Sequence, residues 1–187
     1  MSASMKEDEH GMPIYQGPYP LIDADPHFFR VVRYMRPSDY AVWAGVAAAA
    51  PIFIGFYEHT IYTRFSTSVK DTLIGVAQAM KQGHSKFGVK PYVAIGIFGG
   101  FMMAYARSCG RFLGATENER ERKKDLVELR TRAMKGLPLY GTSQLNPDLQ
   151  KISARYSRYA YSMLGVFPIF NIVNHPYHGV DTAKYYK

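Results

Sequence analysis

Tyr40 to Tyr57, YAVWAGVAAAAPIFIGFY, is a run of eighteen residues without a formal charge, closed on either side by Asp39 and Glu58. At ~1.5 Å of rise per residue, a helix of that length covers most of the hydrocarbon core of a bilayer. This stretch decides the fold class: an all-α membrane protein in which surfaces matter more than an active site. Ala44, Gly45, Ala47 and Ala48 supply small surfaces that let another helix approach, with Ala44 and Ala48 as the expected packing positions. Trp43 and Tyr57 stand near the two ends, where amphipathic rings favour the headgroup level. Pro51, in the middle, predicts a kink or a local break.

The mean hydropathy of −0.20 conceals this run, because polar segments rich in Lys, Arg and Tyr dilute the apolar ones. Further along, Pro91 to Ala106 is a second uncharged stretch, sixteen residues long, between Lys90 and Arg107. It is short for a span, and snorkelling of the two flanking cations extends its reach. Gly96 and Gly100 stand in GxxxG spacing, which admits a second backbone at close range, and Gly110 and Gly114 repeat it beyond the boundary. Two transmembrane helices are therefore expected, over 38–58 and 89–107. The connecting segment 59–88 holds an amphipathic helix over 67–82, with Val69, Leu73, Val76, Ala77 and Met80 on one face.

Before the first span, residues 1–25 read as an extended arm, interrupted by Pro13, Pro18 and Pro20. Asp25 as N-cap and Pro26 at the first helical position predict an interfacial helix over 26–36. Phe28, Val32 and Met35 form its apolar face, and Arg30, Arg33 and Arg36 make it basic. Beyond the second span, Thr116-Glu117-Asn118-Glu119 matches a capping box that opens a charged soluble helix over 116–135, closed by Gly136. Glu119 with Lys123 and Glu128 with Arg132 have favourable i,i+4 order, and Leu126, Leu129 and Ala133 form a narrow apolar stripe. Residues 137–187 read as an extended arm rich in Pro and Tyr. Its apolar patch at 162–173 is broken by Pro168 and is too short to span, so it fits the membrane interface or a partner. Such arms are expected to order against partners and not to form a core of their own.

Charge sets an expected orientation. Four Lys or Arg residues precede the first span, five lie between the spans and fourteen follow the second. The positive-inside tendency places both termini on the cytosolic side, or on the matrix side of the mitochondrial inner membrane. Arg33, Arg36, Lys90, Arg107 and Arg111 flank the expected membrane boundary and are candidate contacts for phospholipid headgroups, cardiolipin included. The net charge of +8 meets no recognised nucleic-acid motif, so nucleic acid is not an expected partner.

Chemistry is sparse. The single cysteine, Cys109, excludes an internal disulfide and a multi-cysteine zinc site, and reads as a packing residue. His175-Pro-Tyr-His178 has HxxH spacing, but its irregular segment brings no neighbouring carboxylate or cysteine set, so no metal site is expected. No P-loop, GxSxG or strand-associated GxGxxG occurs, and neither expected span holds a charge for a proton relay. No catalytic, cofactor-binding or metal-ligating residue is expected. The first residues lack an apolar or Arg-rich targeting pattern, so any targeting information is expected to be internal.

The run DADPHFFRVVRYMRPSDY, Asp23 to Tyr40, together with the small-residue span after it, resembles the fungal 21 kDa accessory subunits of mitochondrial respiratory complex I, the NADH:ubiquinone oxidoreductase. The resemblance covers the N-terminal part through the second span, and the basic, Tyr-rich remainder shares the character. It implies a supernumerary subunit of the membrane arm, in the mitochondrial inner membrane. Its partners would be other membrane-arm subunits and phospholipids, and its work assembly and stability. Redox centres, quinone chemistry and proton pumping would belong to other subunits. Two other classes fit parts of the sequence: a small inner-membrane protein-import component, and a soluble α-helical enzyme whose apolar segments are core helices.

Overall fold

The two uncharged intervals both lie within single helices, because neither contains a charge or a glycine pair strong enough to end one. The computed structural model describes residues 5–63, 74, 89–163 and 170–187. Five α-helices have described bounds: α1 Phe28–Arg33, α2 Pro37–Thr63, α3 Val89–Phe112, α4 Glu119–Met134 and α5 Pro147–Met163. A hairpin of β1, Met5–Glu7, and β2, Pro13–Tyr15, precedes them, and a 3-10 turn, Ala183–Tyr185, follows. Among the described residues one helical stretch, Pro91–Phe112, is long and apolar enough to cross a membrane. α2 runs 27 residues, through Pro51, so the proline does not break it. The expected amphipathic helix over 67–82 lies outside the described residues except at Ile74, which is helical and exposed.

The chain forms two units, Arg36–Ala104 and Met1–Met35 with Tyr105–Lys187. In the first, α2 packs against the early turns of α3 through glycine. A Cβ at Gly100 would stand 2.6 Å from the Trp43 carbonyl oxygen, and one at Gly96 would stand 2.8 Å from Ala50 Cβ and 2.9 Å from the Ala47 carbonyl oxygen. Trp43 Nε1 donates to the Ile97 carbonyl at 2.8 Å, and its ring meets Phe101 edge-on at 5.2 Å. The face that α2 turns to α3 is therefore Trp43, Ala47 and Ala50, at i, i+4 and i+7. Ala44 and Ala48, the packing positions expected from the sequence, are exposed in this chain and are not the residues that meet Gly96 and Gly100. Composition could not choose, since alanines occur on every side of this helix.

The other unit departs further from the expected pattern. The N-terminal arm is a hairpin, in register Met5↔Tyr15, Lys6↔Ile14 and Glu7↔Pro13. Asp8 builds its turn, its Oδ1 accepting the His10 and Met12 N–H groups at 2.9 Å each. α1 is shorter than 26–36 and is capped by His27, whose Nδ1 accepts the Phe29 N–H at 3.3 Å; Asp25 is not the cap. The C-terminal arm contains the 17-residue helix α5. Its start was legible in Asn146-Pro147-Asp148: Asn146 Oδ1 accepts the Asp148 N–H at 3.2 Å, and proline occupies the first turn.

The capping box at the start of α4 does not form. Asn118 caps without a side-chain bond to the helix, because its Nδ2 donates instead to the Pro20 and Arg111 carbonyls at 2.7 and 2.8 Å. The inward side chains of α4 are Glu121, Asp125 and Leu129, whereas Leu126 is exposed. Leu129 packs with Leu139 and Tyr185, against Ala133 and Tyr140. After Met134 the chain turns back with Gly136 at φ +66°, its N–H bonded to Ala133 O and the Leu137 N–H to Arg132 O. Gly114 does not extend a glycine helix face: it lies beyond α3 at φ +76°, where a Cβ would be 2.3 Å from the Tyr19 carbonyl.

The glycine contacts predict a position-specific effect. Gly100→Ala forces Trp43 away and lowers the stability of the detergent-solubilised chain by ~1–3 kcal/mol. Gly99→Ala, where a Cβ would meet nothing within 4 Å, leaves it unchanged. Thermal unfolding of the two variants side by side measures the difference.

Candidate functional site

Burial of an arginine organises the unit formed by Met1–Met35 and Tyr105–Lys187. Arg30 points inward from α1 and is 7% exposed. Its Nη1 donates to Asp23 Oδ2 at 2.8 Å, and its Nη2 to Asp125 Oδ1 on α4. The guanidinium lies 5.5 to 5.7 Å from the ring centres of Phe112, Tyr140 and Tyr34. Aromatic faces suit a weakly hydrated, planar cation better than aliphatic walls do. Asp125 is held from its other side by Tyr185, whose hydroxyl donates to Oδ2 at 2.6 Å.

Asp23 continues the network. Its Oδ1 accepts the Asp25 N–H at 3.0 Å and contacts His178 Nδ1 at 2.6 Å. The other His178 nitrogen meets the His175 carbonyl at 2.7 Å, so both ring nitrogens face oxygen atoms. Tyr140 stacks on His178 at 3.5 Å between centroids. His175 is used differently: its Nδ1 accepts the Tyr177 N–H at 3.1 Å, leaving Nε2 to donate to Asp25 Oδ2 at 2.9 Å. Ser157 of α5 also donates to Asp25 Oδ2, and Asn171 Nδ2 donates to the Asp25 carbonyl at 3.1 Å. Backbone bonds hold the acidic loop in place, from Ile22 N to Phe112 O and from Ala24 N to His178 O, both 2.9 Å.

The carboxyls respond in opposite directions. Burial works to raise the pKa of Asp23, but His178 and then Arg30 outweigh it and hold the group below the usual carboxylate range. Burial raises Asp25 against the pull of His175 and Ser157, and raises Asp125 against Arg30 and Tyr185. Burial likewise pushes the Tyr34, Tyr140 and Tyr185 phenols well up. Arg30 stays charged because Asp23 and Asp125 overcome the cost of burying it.

Two smaller clamps complete the set. Arg158 of α5 is 2% exposed and reaches the hairpin, its Nε donating to Pro13 O at 3.1 Å and its Nη1 to Asp8 Oδ2 at 2.6 Å. Glu128 accepts from Tyr34 and Arg33, both at 2.6 Å.

The residues proposed from the sequence for lipid headgroups fare unequally. Arg33 and Arg107 are exposed and Arg36 is half-buried. Arg33 borders a recess of about 160 Å³ with His27, Phe29 and Arg132. Arg111 is buried with its Nε 3.4 Å from Glu121, which withdraws it from any headgroup. The Lys90 side chain lies outside the described residues. Gly96 and Gly100 are brought against α2 as described above. The histidine pair read as isolated meets two carboxylates after all, Asp25 and Asp23, from about 150 residues earlier in the chain. Asp-x-Asp in one place and His-x-x-His in another were the available signals. Nothing in the sequence joins them. Among the described residues, no group of three or more His, Cys, Asp or Glu side chains is placed to hold a metal ion. Arg30, Asp23, Asp25, Asp125 and Arg158 each bond to a distant segment of the same chain, an arrangement suited to clamping chain ends.

Residues 16–117 match the family described as NADH-ubiquinone oxidoreductase complex I, 21 kDa subunit, and residues 126–187 match the C-terminal domain of the same subunit. The chain belongs to the complex I 21 kDa subunit family. It is 44% identical over 169 residues to the NADH-ubiquinone oxidoreductase 20.9 kDa subunit of Neurospora crassa, an alignment covering 90% of this chain and 82% of that protein. The second matched segment begins within α4, and the Tyr34–Glu128 and Asp23–His178 contacts tie one family segment to the other.

A pH-dependent stability follows from Asp23. Its folded pKa lies below the ordinary value of 3.8, so its contribution is present above that value and is lost as pH falls through the folded pKa. Asp23→Asn is expected to cost ~3–5 kcal/mol at pH 7, where it strips Arg30 and His178 of a shared partner. Below about pH 3 the difference from the parent shrinks. Urea unfolding of both proteins at the two pH values checks the sign.

Proposed function

We propose that this chain is a non-catalytic accessory subunit of the membrane arm of mitochondrial complex I, one that supports assembly and stability of the enzyme. The observation that carries the reading is the surface of α3. Only 33% of its most apolar window is buried within the chain, and Ile95, Ile97 and Phe98 are each about half or more exposed. A core helix of a soluble enzyme would hide these side chains. A helix facing lipid or other membrane helices would not.

On this reading α2 is the second span, seated on Gly96 and Gly100, with Ile52 and Phe53 facing outward. Both spans are in the inner membrane, both chain ends lie on the matrix side, and Arg33, Arg36, Lys90 and Arg107 meet anionic headgroups, cardiolipin among them. Oxidation of NADH and proton translocation belong to neighbouring subunits. What this chain adds is a set of segments clamped to one another by buried charges, and a helix pair. The family match supports this reading over an import component.

Native electrophoresis of mild-detergent mitochondrial extracts tests the assignment. The chain is expected to co-migrate with NADH-dehydrogenase activity, and its removal to reduce the fully assembled enzyme. Migration with a presequence-independent import complex overturns it. Carbonate extraction is expected to leave the chain in the membrane pellet, and protease added to mitoplasts to leave α5 intact.

A further inference from the structure

The helix α5 has a buried inner side and an open outer one. Its inner side carries Ala154, Ser157 and Arg158, all buried, with Ser157 and Arg158 spent on Asp25, Pro13 and Asp8. At about 100° per residue, Leu149, Ile152, Tyr156 and Tyr159 fall within roughly 80° of one another on the opposite side. That outer stripe is open: Leu149 and Ile152 are half exposed and Tyr156 is 73% exposed. A helix whose outer face met only water would carry polar residues there.

The flank of the stripe indicates what covers it. Lys151 and Arg155 are both exposed and lie between the buried inner side and the apolar outer stripe, where a helix resting on a membrane holds its cations at headgroup level. The Arg155 guanidinium is 5.9 Å from the Tyr159 ring centre, so its stem follows the stripe. The one exposed acid, Asp148, is in the first turn, where the helix dipole accommodates it. Past Arg158 the sequence holds no Asp, Glu, Lys or Arg from Tyr159 to Val180, so no acidic residue follows the stripe closely. The same unit includes Tyr105 to Phe112, the last residues of the candidate membrane helix, so the chain itself ties α5 to the bilayer.

We propose that α5 lies in the plane of the membrane surface, with Leu149, Ile152, Tyr156 and Tyr159 in an anionic phospholipid interface and Lys151 and Arg155 on its phosphates. This rests on the membrane location argued above and names a lipid contact far in sequence from the span boundaries.

The test places a photoreactive benzoylphenylalanine at Tyr156 of the full chain, assembled in its native membrane, and identifies the adducts formed on illumination. A phospholipid adduct on the α5 peptide is expected, with none when the same reagent replaces the exposed Arg120 of α4. Lys151→Glu combined with Arg155→Glu is expected to lower that adduct about thirtyfold, from ~1 kcal/mol for each of the two basic residues at an anionic surface. A protein adduct at position 156, or no adduct beyond reaction with water, overturns the proposal, and so does a yield indifferent to the two charge reversals. Should position 156 impair assembly, Ile152 carries the same reagent and the same outcomes. Carbonate resistance of the same preparation separates the readings: a pelleted chain without lipid adduct defeats this inference alone, and a released chain defeats the membrane assignment.

Discussion

A buried guanidinium shared between two carboxylates is the constraint on which the larger unit depends. Removing an arginine from water costs several kcal/mol, and attraction to a partner offsets that only when the geometry is good and no other charge is stranded. Arg30 meets the condition by drawing Asp23 from the loop before α1 and Asp125 from α4, with aromatic rings closing the remaining sides. Asp23 then recruits His178, and Tyr185 satisfies the far oxygen of Asp125. Each neutralised charge fixes one more segment. The C-terminal tail has few apolar side chains to bury, yet becomes part of the unit because its histidines and tyrosine complete this network.

The helix pair obeys a different constraint. On the proposed membrane reading, apolar burial gives no drive for the two helices to associate, so contact depends on how closely the backbones approach. Gly96 and Gly100 provide that approach, and the Trp43 indole fixes its register with one hydrogen bond and one edge-on ring contact. At Ile95, Ile97 and Phe98 the surface of α3 is outward and apolar. One unit thus pairs its buried charges across distant segments, and the other leaves Ile95, Ile97 and Phe98 as exposed apolar surface. Together these properties suit a component that stabilises a larger assembly without supplying chemistry to it.

Helix positions were legible wherever a local signal had no competitor. The uncharged runs and the Gly136 stop correspond to observed helices and a helix end. Readings failed where a residue capable of a local role was claimed by a distant partner. Asp25 could cap α1 but binds His175 and Ser157, and Asn118 turns its amide to Pro20 and Arg111. The stripe of α4 was misread for a related reason, since Glu121 and Asp125 count as solvated residues until Arg111 and Arg30 are known to face them. The start of α5 at Asn146-Pro147-Asp148 was legible in the sequence but was outweighed by the proline and tyrosine content of the surrounding arm.

By itself, the sequence determined where helices could be long and uncharged, that glycines would allow a close approach, and which family the run from Asp23 to Tyr40 resembles. These are properties of residues near one another along the chain. Only the tertiary structure decided that Arg30 and Arg111 point inward, that Trp43, Ala47 and Ala50 and not Ala44 and Ala48 meet the glycines, and that Asp23 and Asp25 are completed by His178 and His175. A charge is buried or solvated according to the partner it finds, and here most of those partners lie scores of residues away, beyond the reach of any local pattern.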